Sequence, residues 1–143
     1  MNTKKIKVAV SGYFNPLHVG HVEMISRAKA LGDYLIVIVN NDKQVRVKGS
    51  YPFMSEKDRV KIIQALRDVD EVFLSVDTDA TVSKSLEALN PDIFANGGDR
   101  KSVNDVPEST ICEKLNIKMV DGLGKKIRAS SKIITEAKKH KQL

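Results

Sequence analysis

Residues 5–32 read KIKVAVSGYFNPLHVGHVEMISRAKALG, and the change of pattern inside this stretch decides the fold. KIKVAV is short and apolar, the pattern of a buried strand. HVEMISRAKALG repeats apolar residues at helical spacing, which predicts that Val22, Ile25, Ala28 and the stem of Lys29 face inward. Gly32 is a fitting stop for that helix. Between strand and helix lies SGYFNPLHVGH, residues 11–21, which holds two of the chain's three histidines.

The same alternation continues outward. DYLIVIVN reads as a second strand, SEKDRVKIIQALR as a helix opened by Ser55 with Asp58 three residues on, and EVFLSV as a third strand. A helix over residues 80–89, a short strand DIFAN, a helix opened by Pro107, a strand IKMV and a last helix from Ser130 complete the chain. Strands that are continuously apolar are buried on both faces, so they are parallel and joined by crossover helices. Right-handed crossovers then give a single α/β domain over residues 1–143, a Rossmann-like doubly wound parallel sheet with helices on both faces. Ligands of such sheets bind at the carboxyl ends of the strands. The chain's unusual loops fall there: SGYFNPLHVGH after the first strand, NNDKQVRVKG after the second, NGGDR after the fourth and GKKIRASSK after the fifth.

Composition narrows the function classes. The chain has 143 residues, 41% hydrophobic and 29% charged, as in an ordinary globular protein. Its longest apolar run, residues 35–39, is far shorter than a membrane span, and the N-terminus lacks a signal-peptide pattern. The single Cys112 cannot form an internal disulfide, so a reduced, cytoplasmic protein is expected. The net charge of +6 arises entirely in residues 124–143, which hold seven Lys/Arg against one Glu. That tail has no aromatics interleaved with its cations, so nucleic acid is not the expected partner. Lys138, Lys139 and Lys141 read as a solvated end, whereas Lys125, Lys126 and Arg128 stay open between that reading and contact with an anion.

His18, Gly20 and His21 fall in the first turn of the first helix. Unpaired N–H groups and the positive end of the helix dipole favour an anion there. Spacing of three puts both imidazoles on one face, and Gly20 removes a side chain that would keep a phosphate or a base from the backbone. Gly12 and Pro16 shape the preceding turn, and Ser11 and Asn15 place polar groups beside it. A zinc pair would need a third ligand, and no flanking Glu supplies one. A packing role remains open for either histidine alone.

Strand, GYFNPLHVGH, helix resembles the H-x-G-H nucleotidylyltransferases, whose usual form is G-T-F-D-x-x-H-x-G-H. NNDKQVRVKG, then Arg59, then LRDVDEV resembles the glycerol-3-phosphate cytidylyltransferases; KG, NPDIFANGGD and a late SSKII resemble equally the adenylyltransferases of heptose 1-phosphate. The resemblance implies transfer of a nucleoside monophosphate from a triphosphate to a phosphorylated small molecule, with release of pyrophosphate and no covalent intermediate. It implies that His18, His21 and Lys48 are catalytic. Ser11, Gly12, Tyr13, Phe14, Gly20, Arg59, Asn96, Gly97, Gly98, Asp99, Ser130, Ser131 and Lys132 would bind the nucleotide. Arg59 has an alternative, a surface pair with Glu56 or Asp58, and Tyr13 with residues 100–106 would border the acceptor. The cofactor implied is Mg²⁺ carried on the triphosphate, with no direct protein ligand set beyond a role for Asp99, and the relatives are commonly homodimers.

Departures from the pattern are Tyr13 for threonine, Asn15 for aspartate, and Gly124 with Lys125 and Lys126 where the cytidylyltransferases have an arginine. LRDVDEV and the chain's size favour CTP, with a phosphorylated polyol or sugar as acceptor. ATP with a sugar 1-phosphate or FMN is the alternative. A nucleotide-binding module without catalysis is the alternative of another class. The chain is too short for a class I aminoacyl-tRNA synthetase and lacks the K-M-S-K-S loop.

Overall fold

The computed structural model describes residues 5–96 and 107–121. Five strands, β1 (Lys7–Gly12), β2 (Tyr34–Val39), β3 (Glu71–Leu74), β4 (Ile93–Ala95) and β5 (Lys118–Val120), form one sheet. Their spatial order is β3-β2-β1-β4-β5, and every pairing is parallel. Five helices complete the description: α1 (Val19–Lys29), α2 (Asp42–Val47), α3 (Glu56–Gln64), α4 (Ser83–Leu89) and α5 (Ser109–Leu115). This is the doubly wound α/β sheet expected from the continuous apolar runs. The strand order reverses between β1 and β4, which opens a crevice at their carboxyl ends.

The strand period of two sorts the core into two layers. Val8 and Val10 of β1 and Leu35, Val37 and Val39 of β2 pack with Ile25 and Ala28 of α1 and Ile63 of α3. Ala9, Ile38 and Phe94 point the other way, against Leu86 of α4 and Cys112 of α5. Each layer removes the sheet from water on one face, which is why these strands read as unbroken hydrophobic runs.

Some expectations along the chain change. Val22 is exposed rather than inward, and Lys29, half-buried, carries its ammonium to Asp70. Helix α1 ends at Ala30 in ordinary right-handed geometry. Gly32 is needed for a different reason than stopping the helix: a Cβ there would lie 2.7 Å from both the Ile6 carbonyl oxygen and Val8 Cγ2. The segment NNDKQVRVKG is not only loop. Asn41 caps α2 by accepting from the Gln44 N–H, and Gln44 returns a bond to the Asn41 N–H, a reciprocal capping box. The strand EVFLSV stops at Leu74, because Ser75 and Asp77 turn back to bond Ser85 at the start of α4. The predicted helix from Ser130 lies outside the described residues.

Candidate active site

The loop after β1 is built around the two histidines. His18 is the N-cap of α1, and its Nδ1 accepts from the Gly20 N–H at 3.1 Å. His21, three residues on, accepts from the His18 N–H through its own Nδ1, also at 3.1 Å. This is the capping box usually made by Ser or Thr and Glu, here made by two imidazoles. A nitrogen that accepts a hydrogen bond carries no proton, so each neutral ring carries its proton on Nε2. The rings stack with centroids 3.8 Å apart and planes tilted by 32°. Burial, and then the neighbouring His18, push the His21 pKa down to about 4. His21 is therefore neutral at pH 7 and offers an N–H as a donor without a charge.

Phe14 supports this arrangement from below. Its backbone is left-handed (φ 50°), its ring is buried, and the ring meets His21 edge-on at 5.0 Å. Gly12 makes room for it, since a Cβ at that position would stand 2.7 Å from Phe14 Cζ.

A cavity of about 390 Å³ opens over the loop, lined by Ser11, Gly12, Tyr13, His18, His21 and Lys48 among others. A second lobe of about 280 Å³ shares Ser11, Gly12, Tyr13 and Lys48 and extends to Asn96 and Glu108 across the β1–β4 crevice. Lys48, at the carboxyl end of α2, holds its ammonium 4.3 Å from the centroid of the Tyr13 ring. Burial, and then the charge of Glu108, raise the Tyr13 phenol above its ordinary value, so it stays protonated at neutral pH. A larger hollow of about 570 Å³ lies at the opposite end of the strands, around Lys5, Lys7 and Asp92. It holds none of the candidate residues.

Arg59 is not where a nucleotide ligand or a surface ion pair would put it. Its side chain is fully buried, and its partners are neither Glu56 nor Asp58. Nε donates to the Met54 carbonyl at 3.0 Å, Nη1 to the Tyr13 and Asn40 carbonyls at 2.9 and 2.5 Å, and Nη2 to the Asp42 carboxylate at 2.6 Å. One guanidinium thus ties the histidine loop, the end of β2, the start of α2 and the approach to α3 together. The planar fork of five donors suits arginine to this, and lysine has no equivalent.

Asn15 makes a second tie, and the tie explains its departure from aspartate. Its Nδ2 donates to the Tyr51 carbonyl at 2.8 Å, while Oδ1 accepts from the N–H groups of Phe53 at 2.8 Å and Met54 at 3.4 Å. A carboxylate could do only the second of these. The sequence placed Asn15 as a polar neighbour and gave no sign of this bridge, because its partners are backbone atoms 36 to 39 residues away. Glu108 was missed as well: its Oε2 accepts from the Val82 N–H at 2.9 Å, a partner 26 residues off.

Of the candidate residues, Ser11, Gly12, Tyr13, Phe14, His18, His21 and Lys48 meet at the first lobe, and Asn96 joins at the second. Gly20 sits in the same turn with its N–H given to His18. Gly97, Gly98, Asp99, Ser130, Ser131 and Lys132 lie outside the described residues, as do residues 100–106, Lys125, Lys126 and Arg128. Among the described residues no three His, Cys, Asp or Glu side chains are grouped to hold a metal ion, and no helix is long and apolar enough to cross a membrane.

A doubly wound parallel sheet with the His18–His21 turn at its switch point places the chain in the class of Rossmann-like α/β folds. Residues 9–137 match the Cytidylyltransferase-like family, and the chain belongs to it. It is 43% identical over 100 residues to an FAD synthase of Thermococcus onnurineus, an alignment covering 68% of this chain and 65% of that protein. The chain thus spans slightly under two thirds of that relative's length. A bifunctional protein HldE of Koribacter versatilis is 37% identical over 94 residues, covering 64% of this chain and 19% of that one. Among solved structures, the lipopolysaccharide core biosynthesis protein of Thermoplasma volcanium superposes with a TM-score of 0.69 at 31% identity, covering 82% of this chain and 96% of that one.

Proposed function

We propose that the protein is an adenylyltransferase, which moves AMP from ATP to the phosphate of a small phosphorylated acceptor and releases pyrophosphate. The observation that carries this is the histidine pair lining the cavity, each ring held by a backbone N–H at Nδ1 so that the cap leaves Nε2 unused. An acceptor phosphate is already anionic. Its oxygen attacks the α-phosphorus, the bond from that phosphorus to the bridging oxygen breaks, and pyrophosphate leaves with the electron pair. No proton has to be removed, so the site needs donors and cations more than a base. Two imidazole N–H groups and the Lys48 ammonium are suited to that, and a histidine that stays neutral loses nothing by it. Mg²⁺ belongs to this proposal as a passenger on the triphosphate, where it neutralises charge. A homodimer is the assembly that the resemblance implies, and light scattering reads it directly.

ATP replaces CTP as the nucleotide of choice for two reasons. FAD contains an adenosine moiety, so relatives named FAD synthase point to adenylyl transfer onto FMN. The clue that favoured CTP, LRDVDEV, has a structural use at the wrong end of the sheet. Its Asp70 binds the Lys29 ammonium and the Leu35 N–H, just before β3 begins, opposite the rim where the cavity lies. The family name by itself does not select the base.

Pyrophosphate release with ATP, CTP, GTP and UTP, each offered with FMN and with a sugar 1-phosphate, tests the reading. Turnover with ATP at least tenfold above CTP is expected. CTP preference would restore the cytidylyl reading with a polyol or sugar phosphate, and release from no pairing would leave a nucleotide-binding module without catalysis.

A further inference from the structure

We propose that Glu108 selects the acceptor: the second lobe takes a neutral, hydrogen-bond-donating body carried on a single phosphate and turns away acceptors that bring a second anionic group. This rests on the transferase reading for its geometry. The triphosphate belongs over the histidine pair, in the first lobe. The two lobes meet at Tyr13 and Lys48, so an acceptor phosphate beside the Lys48 ammonium faces the reacting phosphorus from one lobe while its body extends into the other.

What the body meets there is specific. Glu108 is only 7% exposed, yet it lines the lobe. One carboxylate oxygen, Oε2, is fixed by the Val82 N–H, which holds the carboxylate in the wall of the lobe. Asn96, at the end of β4, has its Nδ2 buried without a partner. A buried amide donor without a partner is costly in an empty protein and is relieved by a ligand that completes it, and the Glu108 carboxylate adds an acceptor to the wall of the same lobe. The pair matches a donor next to an acceptor on the ligand. Sugar hydroxyls present that chemistry, and so does the imide edge of a flavin, with its N–H between carbonyls. A second phosphate or a carboxylate does not, because it would press against the Glu108 charge in a confined space. Nothing in the local sequence marks Glu108, since its fixing partner comes from the start of α4.

Calorimetric titration of the full chain with FMN, glucose 1-phosphate and glucose 1,6-bisphosphate tests this. The wild-type protein is expected to bind one of the two monophosphates about tenfold or more tighter than the bisphosphate, as a charge-assisted hydrogen bond allows. Whether that monophosphate is FMN or the sugar decides which donor Glu108 reads. In Glu108→Gln an oxygen remains for Val82 and the charge is gone, so the preferred monophosphate should weaken about tenfold while the bisphosphate holds or gains. The KM for ATP should not move. If Glu108→Gln does not fold, Glu108→Asp serves instead: the charge stays but withdraws from the lobe by one methylene, so the preferred monophosphate should weaken. Equal binding of mono- and bisphosphates by the wild-type protein, binding of none of the three, an unchanged pattern in both variants, or an effect on ATP rather than the acceptor would each overturn the proposal. Selective binding without adenylyl transfer would sink the transferase reading and leave the selectivity of the lobe standing.

Discussion

Arg59→Lys is the substitution that tests how the rim is held. The guanidinium now satisfies three backbone carbonyls and one carboxylate from a fully buried position. A lysine ammonium keeps the charge but reaches only part of this set, because its donors radiate from one atom on a differently shaped stem. Two acceptors are expected to lose their partner. Each buried carbonyl left unsatisfied costs about 1–3 kcal/mol, which puts the loss at roughly 2–5 kcal/mol after partial relaxation. The Asp42 side chain is 25% exposed, so water replaces its bond and no buried-charge penalty is added. A domain with a stability near the middle of the usual range, about 10 kcal/mol, remains folded after such a loss. Urea unfolding followed by far-ultraviolet circular dichroism should show the midpoint falling by about 1–3 M, with little change in slope. Asp42→Asn, which keeps an oxygen for the guanidinium, should cost clearly less. A loss below about 1 kcal/mol for Arg59→Lys, or a larger loss for Asp42→Asn, would refute the view that the guanidinium ties these loops together.

Three further outcomes follow from the site. His18→Asn should keep α1 capped, since asparagine is among the best N-caps, yet lose turnover; wild-type pyrophosphate release with a normal melting temperature would remove His18 from the mechanism. His21 titrates in the folded protein near 4 against an ordinary 6.5, so its stabilising contribution is full above pH 6.5 and is lost as pH falls from there toward 4. Proton NMR of the imidazole carbon resonances reads that midpoint, and a value above 6 would contradict the buried, neutral assignment. Asn15→Asp restores the usual family residue but removes the donor to the Tyr51 carbonyl, so it should destabilise by about 1 kcal/mol or more in chemical denaturation; a neutral or stabilising effect would mean that this bond does not hold residues 51–54.

What the sequence revealed, and what it hid, divides along a physical line. Parallel strands buried on both faces have to be apolar at every position, so LIVIV and KVAV announce the sheet, and their spacing announces the crossovers. The histidine turn is legible for a related reason: its bonds span three residues, so motif and geometry are nearly the same statement. Arg59 is the opposite case. Its helical neighbours Glu56 and Asp58 are visible in sequence, whereas its real partners are carbonyls of Tyr13 and Asn40, 46 and 19 residues away, which any residue type would supply. Asn15 and Glu108 escaped notice in the same way. LRDVDEV carries a structural reason of its own, a turn that packs Leu66 and Val69 against the core, which its sequence pattern does not separate from a role in choosing the nucleotide.

The histidines themselves straddle the line. A motif that looks purely catalytic in sequence also caps the helix that carries it, so loss of either ring removes a donor and a cap together. Truncation to alanine therefore confounds chemistry with folding, and a fall in activity alone would say little about mechanism. Asparagine at position 18 separates the two, because the cap requires only an acceptor near the Gly20 N–H, whereas the proposed chemistry requires an N–H on the far side of a five-membered ring.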